Sequence, residues 1–135
     1  MHVLTYQHRV VVDARDDAPD ARLRRDRLWR GLVLRAERPR LFLPSLDHCT
    51  ILQREDDALV RELRFSTVII TDRVEFEPQR RVVYRVMDRM GLTGDRMETA
   101  IEEPEPGRLD VAFRYRVALP DDTPPDTPEA QARRD

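Results

Sequence analysis

The sequence predicts an α+β fold in which a first strand is followed by a helical segment and then by a long antiparallel meander. Three observations lead to this prediction. One stretch carries apolar residues at helical spacing, most of the remaining chain up to residue 119 alternates between apolar and polar residues, and the alternating segments are joined by short turns. Consecutive strands joined by short turns pair as antiparallel neighbours, so a parallel α/β sheet is not expected.

The helical segment lies between the first strand and the meander. Its single apolar stripe is formed by Leu28, Trp29, Leu32, Val33 and Ala36. Asp20 has the side chain of a good N-cap, and Pro39 ends the helix because proline disfavours helical geometry at the residue before it. A second short turn is predicted from Arg40 to Leu43.

Seven segments alternate and are predicted to be strands, at residues 3–12, 48–54, 59–65, 68–77, 81–88, 96–103 and 109–119. In six of them the alternation itself shows which side chains point to the inner face. In the first predicted strand these inward side chains include Val12. The second predicted strand is ambiguous, because either Cys49 and Ile51 or Thr50 and Leu52 could point inward. We favour Cys49 and Ile51.

The last segment has a different composition. Residues 120–135 hold four of the ten prolines and only two apolar side chains, both alanine. Such a segment buries too little surface to offset its ordering entropy, so we expect a disordered tail. The domain organisation predicted is therefore one folded domain at 1–119 and a proline-rich tail at 120–135.

Composition excludes several classes of function. The chain has 24 basic and 26 acidic residues and a net charge of −2, and every basic residue is arginine. This balance argues against a general nucleic-acid binder, and no apolar run is long enough for a transmembrane helix. Cys49 is the only cysteine and the amino terminus lacks a signal-peptide pattern, so a cytoplasmic protein without cofactor or metal is expected.

One pair of charged residues interrupts the apolar faces of the third and fourth strands. If Ser66 and Thr67 form a two-residue turn, Phe65 opposes Val68 and the same register sets Arg61 opposite Asp72. Opposed side chains lie within reach of a charge-assisted hydrogen bond. The pair is interpreted either as a partly buried ion pair that fixes the register or as a polar anchor for a ligand, and the first interpretation is favoured.

A candidate cavity follows from the remaining inward positions. The three tyrosines all fall on the inner face, and the pairing of the last two strands places Tyr115 opposite Met97 and Phe113 opposite Thr99. The candidate ligand-binding residues are Tyr6, His8, Arg61, Asp72, Tyr84, Met97, Phe113 and Tyr115. A mostly apolar surface with a few polar groups is typical of a small-molecule pocket, and equally of an ordinary core.

No catalytic residue is assigned. The chain contains no hydrolase elbow, P-loop, dinucleotide-binding glycine pattern or zinc-ligand spacing. His8 faces inward and could act as a general acid or base, but a core histidine bonded to a neighbour is favoured. Ser45, Asp47 and His48 are interpreted as turn and capping residues, and Cys49 as an inert buried thiol.

Several blocks resemble one protein family. The run 28–37 (LWRGLVLRAE), followed by Pro39 and by 42–44 (FLP), is similar to the helical insertion of the acetylaranotin biosynthesis cluster protein L family, which are small START-like (SRPBCC, Bet v 1-like) proteins. The blocks 63–65, 72–78 and 101–104 also fit. The resemblance covers about residues 6–119, and its most specific part is the Leu-Trp-x-Gly-Leu block.

The resemblance implies a helix-grip fold, in which a seven-stranded antiparallel sheet curls around an apolar cavity. It brings no catalytic residues. Superfamily members usually close the cavity with a long carboxy-terminal helix, and the sequence after residue 119 offers no apolar stripe for one. Either the chain is truncated, or the concave face is covered by a partner, by a second copy or by nothing.

Three functions follow from these expectations. The favoured one is non-catalytic binding of a hydrophobic, lipid- or polyketide-like small molecule on the concave face. The alternative is a cyclase or aromatase that uses His8, Tyr84, Arg61 and Asp72 as acid, base or orienting groups. The third is an interaction module that docks a partner, or a second copy in a homodimer, on the uncovered sheet.

Overall fold

The computed structural model describes residues 2–11 and 21–119. Within this part of the chain, seven strands accompany one long helix and a short 3-10 turn. The elements are β1 (His2–Val11), α1 (Ala21–Glu37), the turn Pro39–Leu41, β2 (His48–Arg54), β3 (Ala58–Phe65), β4 (Val68–Glu77), β5 (Arg81–Asp88), β6 (Gly91–Glu105) and β7 (Arg108–Leu119). The α+β prediction is confirmed, whereas the predicted N-cap Asp20, the inward position Val12 and the predicted tail at 120–135 lie outside the described residues.

All seven strands form one antiparallel sheet in the order β1-β7-β6-β5-β4-β3-β2. Consecutive strands from β2 to β7 are neighbours, as short turns require, and β1 pairs with β7 instead of β2. β1 and β2 are therefore the two edges of the sheet. The chain passes from one edge strand to the other through α1, which places the helix across one face, here called the inner face.

The apolar stripe of α1 packs on the inner face. Leu32 and Ala36 are buried against a core that includes Leu59, Val74 and Val82. Trp29 covers one margin of this core, where its ring meets Phe76 edge to face with centroids 6.4 Å apart. Burying an aliphatic side chain as large as that of Leu32 stabilises the fold by about 1.5–3 kcal/mol.

The registers derived from the sequence are confirmed. Phe65 opposes Val68 across the two-residue turn, and Arg61 opposes Asp72. Ser66 adopts a left-handed conformation with φ of 57°, which closes the turn tightly enough for this pairing. Met97 opposes Tyr115 in the last hairpin, also as predicted.

The ambiguous strand β2 has the favoured orientation. Cys49 opposes Leu63 and Ile51 opposes Arg61, so both lie on the inner face, and Ile51 packs against the core. The register shifts by one residue after Ile51, which leaves Leu52 exposed in a β-bulge.

Strand β6 is longer than predicted, because it begins at Gly91 instead of residue 96. Gly91 and Gly94 have φ of 111° and 95°, positive values that glycine adopts without a steric penalty. The β5–β6 register shifts between Arg85 and Met87, which marks a bulge. The bulge lets the strand continue through residues that the alternation pattern does not mark. A second shift, after Glu102, accommodates the segment around Pro104 up to Glu105.

Candidate functional site

The helix leaves the β1 side of the inner face uncovered. The inward side chains of β1 are Leu4, Tyr6, His8 and Val10. Tyr6 is 42% exposed and Val10 is 44% exposed, although both point to the same face as the core. On the adjacent strand β7, Phe113 and Tyr115 are half-buried. An aromatic and aliphatic surface therefore extends from the edge of the sheet to the side of α1.

Four of the predicted ligand-binding residues form one row across four strands. Tyr6 opposes Tyr115, Tyr115 opposes Met97, and Met97 opposes Tyr84. The rings of Tyr6 and Tyr115 lie 5.7 Å apart between centroids. In the next row His8 opposes Phe113, and the centroids of their rings lie 5.3 Å apart.

The predicted Arg61–Asp72 pair is present and fully buried. Nε and Nη2 of Arg61 donate to the two carboxylate oxygens of Asp72 at 2.9 and 2.6 Å. The remaining nitrogen, Nη1, donates to the backbone carbonyl of Ala36 at 2.8 Å. This carbonyl belongs to the last turn of α1, whose C=O groups lack partners within the helix. The pair thus attaches the carboxyl end of α1 to the centre of the β3–β4 hairpin.

Tyr84 lies beside this pair and has an unsatisfied hydroxyl. The guanidinium carbon of Arg61 lies 5.0 Å from the centre of its ring, a cation–π contact. The side chain is 6% exposed, and its hydroxyl has no hydrogen-bond partner among the described residues. Burial raises the pKa of Tyr84 to about 12. At neutral pH the group is therefore a protonated donor that points into the protein without an acceptor.

A second hydroxyl on the same face is also unsatisfied. Thr99 opposes Phe113, is completely buried, and its Oγ1 has no hydrogen-bond partner in the described part of the chain. Buried polar groups are normally bonded, because leaving one without a partner costs about 1–3 kcal/mol. Among the described residues, Tyr84 and Thr99 thus carry two buried hydroxyls without partners on the inner face.

The raised pKa of Tyr84 makes stability depend on alkaline pH. Because the pKa of about 12 in the folded chain lies above the ordinary value of 10.0, the stabilisation is complete below pH 10 and is lost as pH rises through 12. Between pH 10 and about 12 the free energy of unfolding of the wild-type protein should therefore fall by an additional amount on the order of 2–3 kcal/mol, and Tyr84→Phe should lack this additional fall. Urea unfolding of both proteins between pH 9 and about 12 measures the difference. If the unfolding free energies of the two proteins fall in parallel with pH, the raised pKa of Tyr84 is contradicted.

Sequence reasoning missed Arg35, which faces the same site. Its guanidinium carbon lies 5.4 Å from the centre of the Phe113 ring and 5.9 Å from that of Phe42. No carboxylate among the described residues pairs with it. The helical spacing contained the signal, since Arg35 is three residues after Leu32 and so lies close to the buried stripe.

Other predicted groups do not assemble into a catalytic set. His8 on β1 and Tyr84 on β5 are separated in the sheet by β7 and β6. Cys49 is half-buried, not fully buried as predicted, and this partial burial raises the pKa of its thiol, which stays protonated at neutral pH. The Oδ2 atom of Asp47 accepts the Ser66 backbone N–H at 2.6 Å, which joins this loop to the β3–β4 turn. Across the described residues, no cluster of potential metal ligands occurs, nor a helix long and apolar enough to cross a membrane.

Solved structures share this fold. The aromatase/cyclase ZhuI from Streptomyces sp. R1128 is similar with a TM-score of 0.54 and 20% identity, over 90% of this chain and 73% of that one. The di-domain aromatase/cyclase StfQ of the steffimycin pathway gives 0.66 and 15%, over 98% of this chain and 44% of that one. A START superfamily protein from Mycobacterium smegmatis gives 0.52 and 11%, over 99% and 87%. At these identities the likeness shows the helix-grip fold alone.

The family assignment comes from the sequence. No curated protein matches the chain. The family model of acetylaranotin biosynthesis cluster protein L matches residues 11–135, which include α1 and every strand except most of β1. The resemblance noted from the Leu-Trp-x-Gly-Leu block is thereby confirmed, and the chain belongs to the acetylaranotin biosynthesis cluster protein L family.

Proposed function

We propose that this protein binds a hydrophobic, lipid- or polyketide-like small molecule on the inner face, between α1 and the β1 edge. The observation that carries the proposal is the row Tyr6–Tyr115–Met97, which is exposed at Tyr6, half-buried at Tyr115 and Met97, and ends at Tyr84 with its unsatisfied hydroxyl. Small-molecule sites combine an apolar lining with a few polar groups that fix orientation. The cytoplasm remains the proposed compartment.

The polar groups define what the ligand must carry. Tyr84 and Thr99 offer hydroxyls without partners, and Arg35 offers a cation without a carboxylate among the described residues. An oxygen-bearing end of an otherwise apolar ligand would satisfy them. Arg61 and Asp72 contribute less to this recognition, because three guanidinium nitrogens and both carboxylate oxygens already have partners.

Binding of a neutral apolar dye tests the proposal. We expect Nile red to bind wild-type protein with saturable fluorescence, and Phe113→Ala to weaken it by about tenfold, because the substitution removes an aromatic wall worth over 1 kcal/mol. Ile69→Ala is the matched control. Ile69 is 59% exposed and points to the opposite face of the sheet.

Two results would contradict this proposal. One is an absence of saturable binding together with no retained ligand in native mass spectrometry of freshly purified protein. The other is an equal loss of dye binding in Phe113→Ala and Ile69→Ala, which would indicate general surface adsorption. Circular dichroism of both variants establishes that the fold is kept.

A cyclase is the second candidate, and the protonated Tyr84 hydroxyl favours it. A donor whose pKa is raised to about 12 can polarise a ligand carbonyl without losing its proton. In that case Tyr84→Phe would abolish conversion of a poly-β-keto substrate, followed by aromatic absorbance, while Nile red binding persisted. Binding without conversion by wild-type protein would exclude this candidate.

Self-association through the uncovered surface is the third candidate. The exposed inward side chains of β1 would be buried if a second copy lay on them. Sedimentation velocity over a hundredfold concentration range distinguishes the cases. A dimer that dissociates when Tyr6 is replaced by Ser would support an interface, whereas a monomer with saturable dye binding supports the ligand site.

A further inference from the structure

The outer face of the sheet carries a row of four arginines on adjacent strands. Arg73 opposes Arg85, Arg85 opposes Arg96, and Arg96 opposes Arg116. Directly opposed like charges destabilise a sheet unless something compensates them. The row therefore requires negative charge, either from the protein or from a bound group.

Acidic side chains of the chain compensate the row on β4, β5 and β6. Glu75 accepts from Arg85 at 2.6 Å and from Arg73 at 3.3 Å. Its pairing with Arg85 lowers the pKa of Glu75 and keeps the carboxylate charged at neutral pH. Oε2 of Glu98 lies 2.9 Å from Nη2 of Arg96. The protein thus supplies a carboxylate to each of the first three arginines.

The fourth arginine of the row, Arg116 on β7, differs from the other three. Arg116 is exposed, and none of its atoms pairs with a carboxylate among the described residues. Its neighbour Arg114 is shared between Glu102 at 2.7 Å and Glu98 at 3.6 Å. Glu98 itself is buried and also contacts Arg81 at 3.3 Å, so its one negative charge is divided among three arginines.

A groove of about 350 Å³ lies at this end of the row. Besides Tyr6 and Tyr115, which alternate to the inner face, its lining consists of Thr5, Gln7, Arg96, Glu98, Arg114 and Arg116. Glu98 is the carboxylate in this lining and Glu102 pairs with Arg114 from beside it, so the three arginines Arg96, Arg114 and Arg116 still outnumber the carboxylates and leave an excess of positive charge. Thr5 directly opposes Arg116 and adds a hydroxyl, and Gln7 opposes Arg114 and adds an amide.

We propose that this outer groove is an oxyanion site that takes a phosphate group, separate from the inner-face ligand site. Arginine guanidinium groups match the oxygens of phosphate with paired N–H donors, and a bound anion would offset the excess positive charge. Glu98 pairs with Arg96 and Arg114, whereas Arg116 has no carboxylate partner among the described residues and can engage the anion.

Titration of the full-length protein with inorganic phosphate and with phenyl phosphate tests the site, at pH 7 and low ionic strength. Amide chemical shifts of Thr5 and Arg116 locate binding, and their saturation gives the affinity. We expect saturable binding of at least one anion, weakened about tenfold or more in Arg116→Gln through loss of a charge-assisted bond. Tighter binding of phenyl phosphate would assign the site to a phosphate ester, and equal or weaker binding to free phosphate.

Arg64→Gln is the matched control. Arg64 is exposed on the same face of β3, away from the groove. The proposal is overturned if neither anion saturates, if Arg116→Gln binds as wild type does, or if Arg64→Gln loses as much affinity. Nile red binding on the inner face is expected to be unchanged in Arg116→Gln, so failure of this site and failure of the proposed function are distinguishable.

Discussion

Replacing Asp72 with alanine is expected to lower the free energy of unfolding by about 3–5 kcal/mol. The substitution leaves the guanidinium of Arg61, a residue that is 4% exposed, without the carboxylate that pairs with it. It also weakens the bond from Arg61 to the Ala36 carbonyl, because the guanidinium is no longer held in place. Urea unfolding followed by circular dichroism measures the change.

Two comparisons separate loss of a partner from loss of the pair. The double variant Arg61→Met, Asp72→Leu replaces both charges with apolar groups, and we expect it to be more stable than Asp72→Ala. Glu55→Ala breaks an exposed pair with Arg73 and is expected to cost no more than about 1 kcal/mol. A cost for Asp72→Ala as small as that for Glu55→Ala would contradict the structural importance of the buried pair.

Truncating Leu32 is expected to have a similarly large effect. Leu32 is 7% exposed and packs between α1 and the sheet, so Leu32→Ala should cost about 2–5 kcal/mol through lost burial and a residual cavity. Leu34 on the same helix is 42% exposed, and Leu34→Ala should cost less than about 1 kcal/mol. The same substitution thus tests the two faces of one helix.

Denaturant unfolding of the two leucine variants gives these values, and Trp29 fluorescence shows whether α1 keeps its place on the sheet. Equal costs in the two variants would mean that α1 does not use the Leu32 face to pack. Such a result would also remove the basis for placing the ligand between α1 and the β1 edge.

The β3–β4 hairpin could be predicted from sequence in detail, for a physical reason. Side chains alternate with a period of two, so one short turn fixes every opposed pair along the hairpin. Arg61 and Asp72 were the polar exceptions on two apolar faces, and a single register explained both. Burial of the pair and its bond to the helix required knowledge of where α1 lies.

The start of β6 could not be predicted in this way. Alternation detects a strand only while side chains keep their faces, and the bulge opposite Arg85–Met87 interrupts that pattern. Gly91 and Gly94 carry no side chain that would mark a face. The strand pairs there through its backbone, a property that the sequence pattern does not record.

One charged residue at each site, Arg35 or Arg116, could not be singled out from the sequence. A chain whose cations are all arginine gives no reason to single out Arg35 or Arg116 by residue type. Arg35 matters because α1 turns it toward Phe113, and Arg116 because neighbouring strands bring three more arginines into its row. Both are consequences of packing between elements distant in the sequence.

The pairing of β1 with β7 has a consequence for how the protein is made. Val10 opposes Val111, so β1 has no partner strand until about one hundred further residues have been synthesised. At translation rates of about 5–20 residues per second, its backbone donors and acceptors stay unpaired for roughly 5–20 s. A nascent chain with this topology exposes an aggregation-prone strand throughout that interval. The edge strand that contributes Tyr6 and His8 to the inner face can therefore form its hydrogen bonds to the sheet only after β7 has been synthesised.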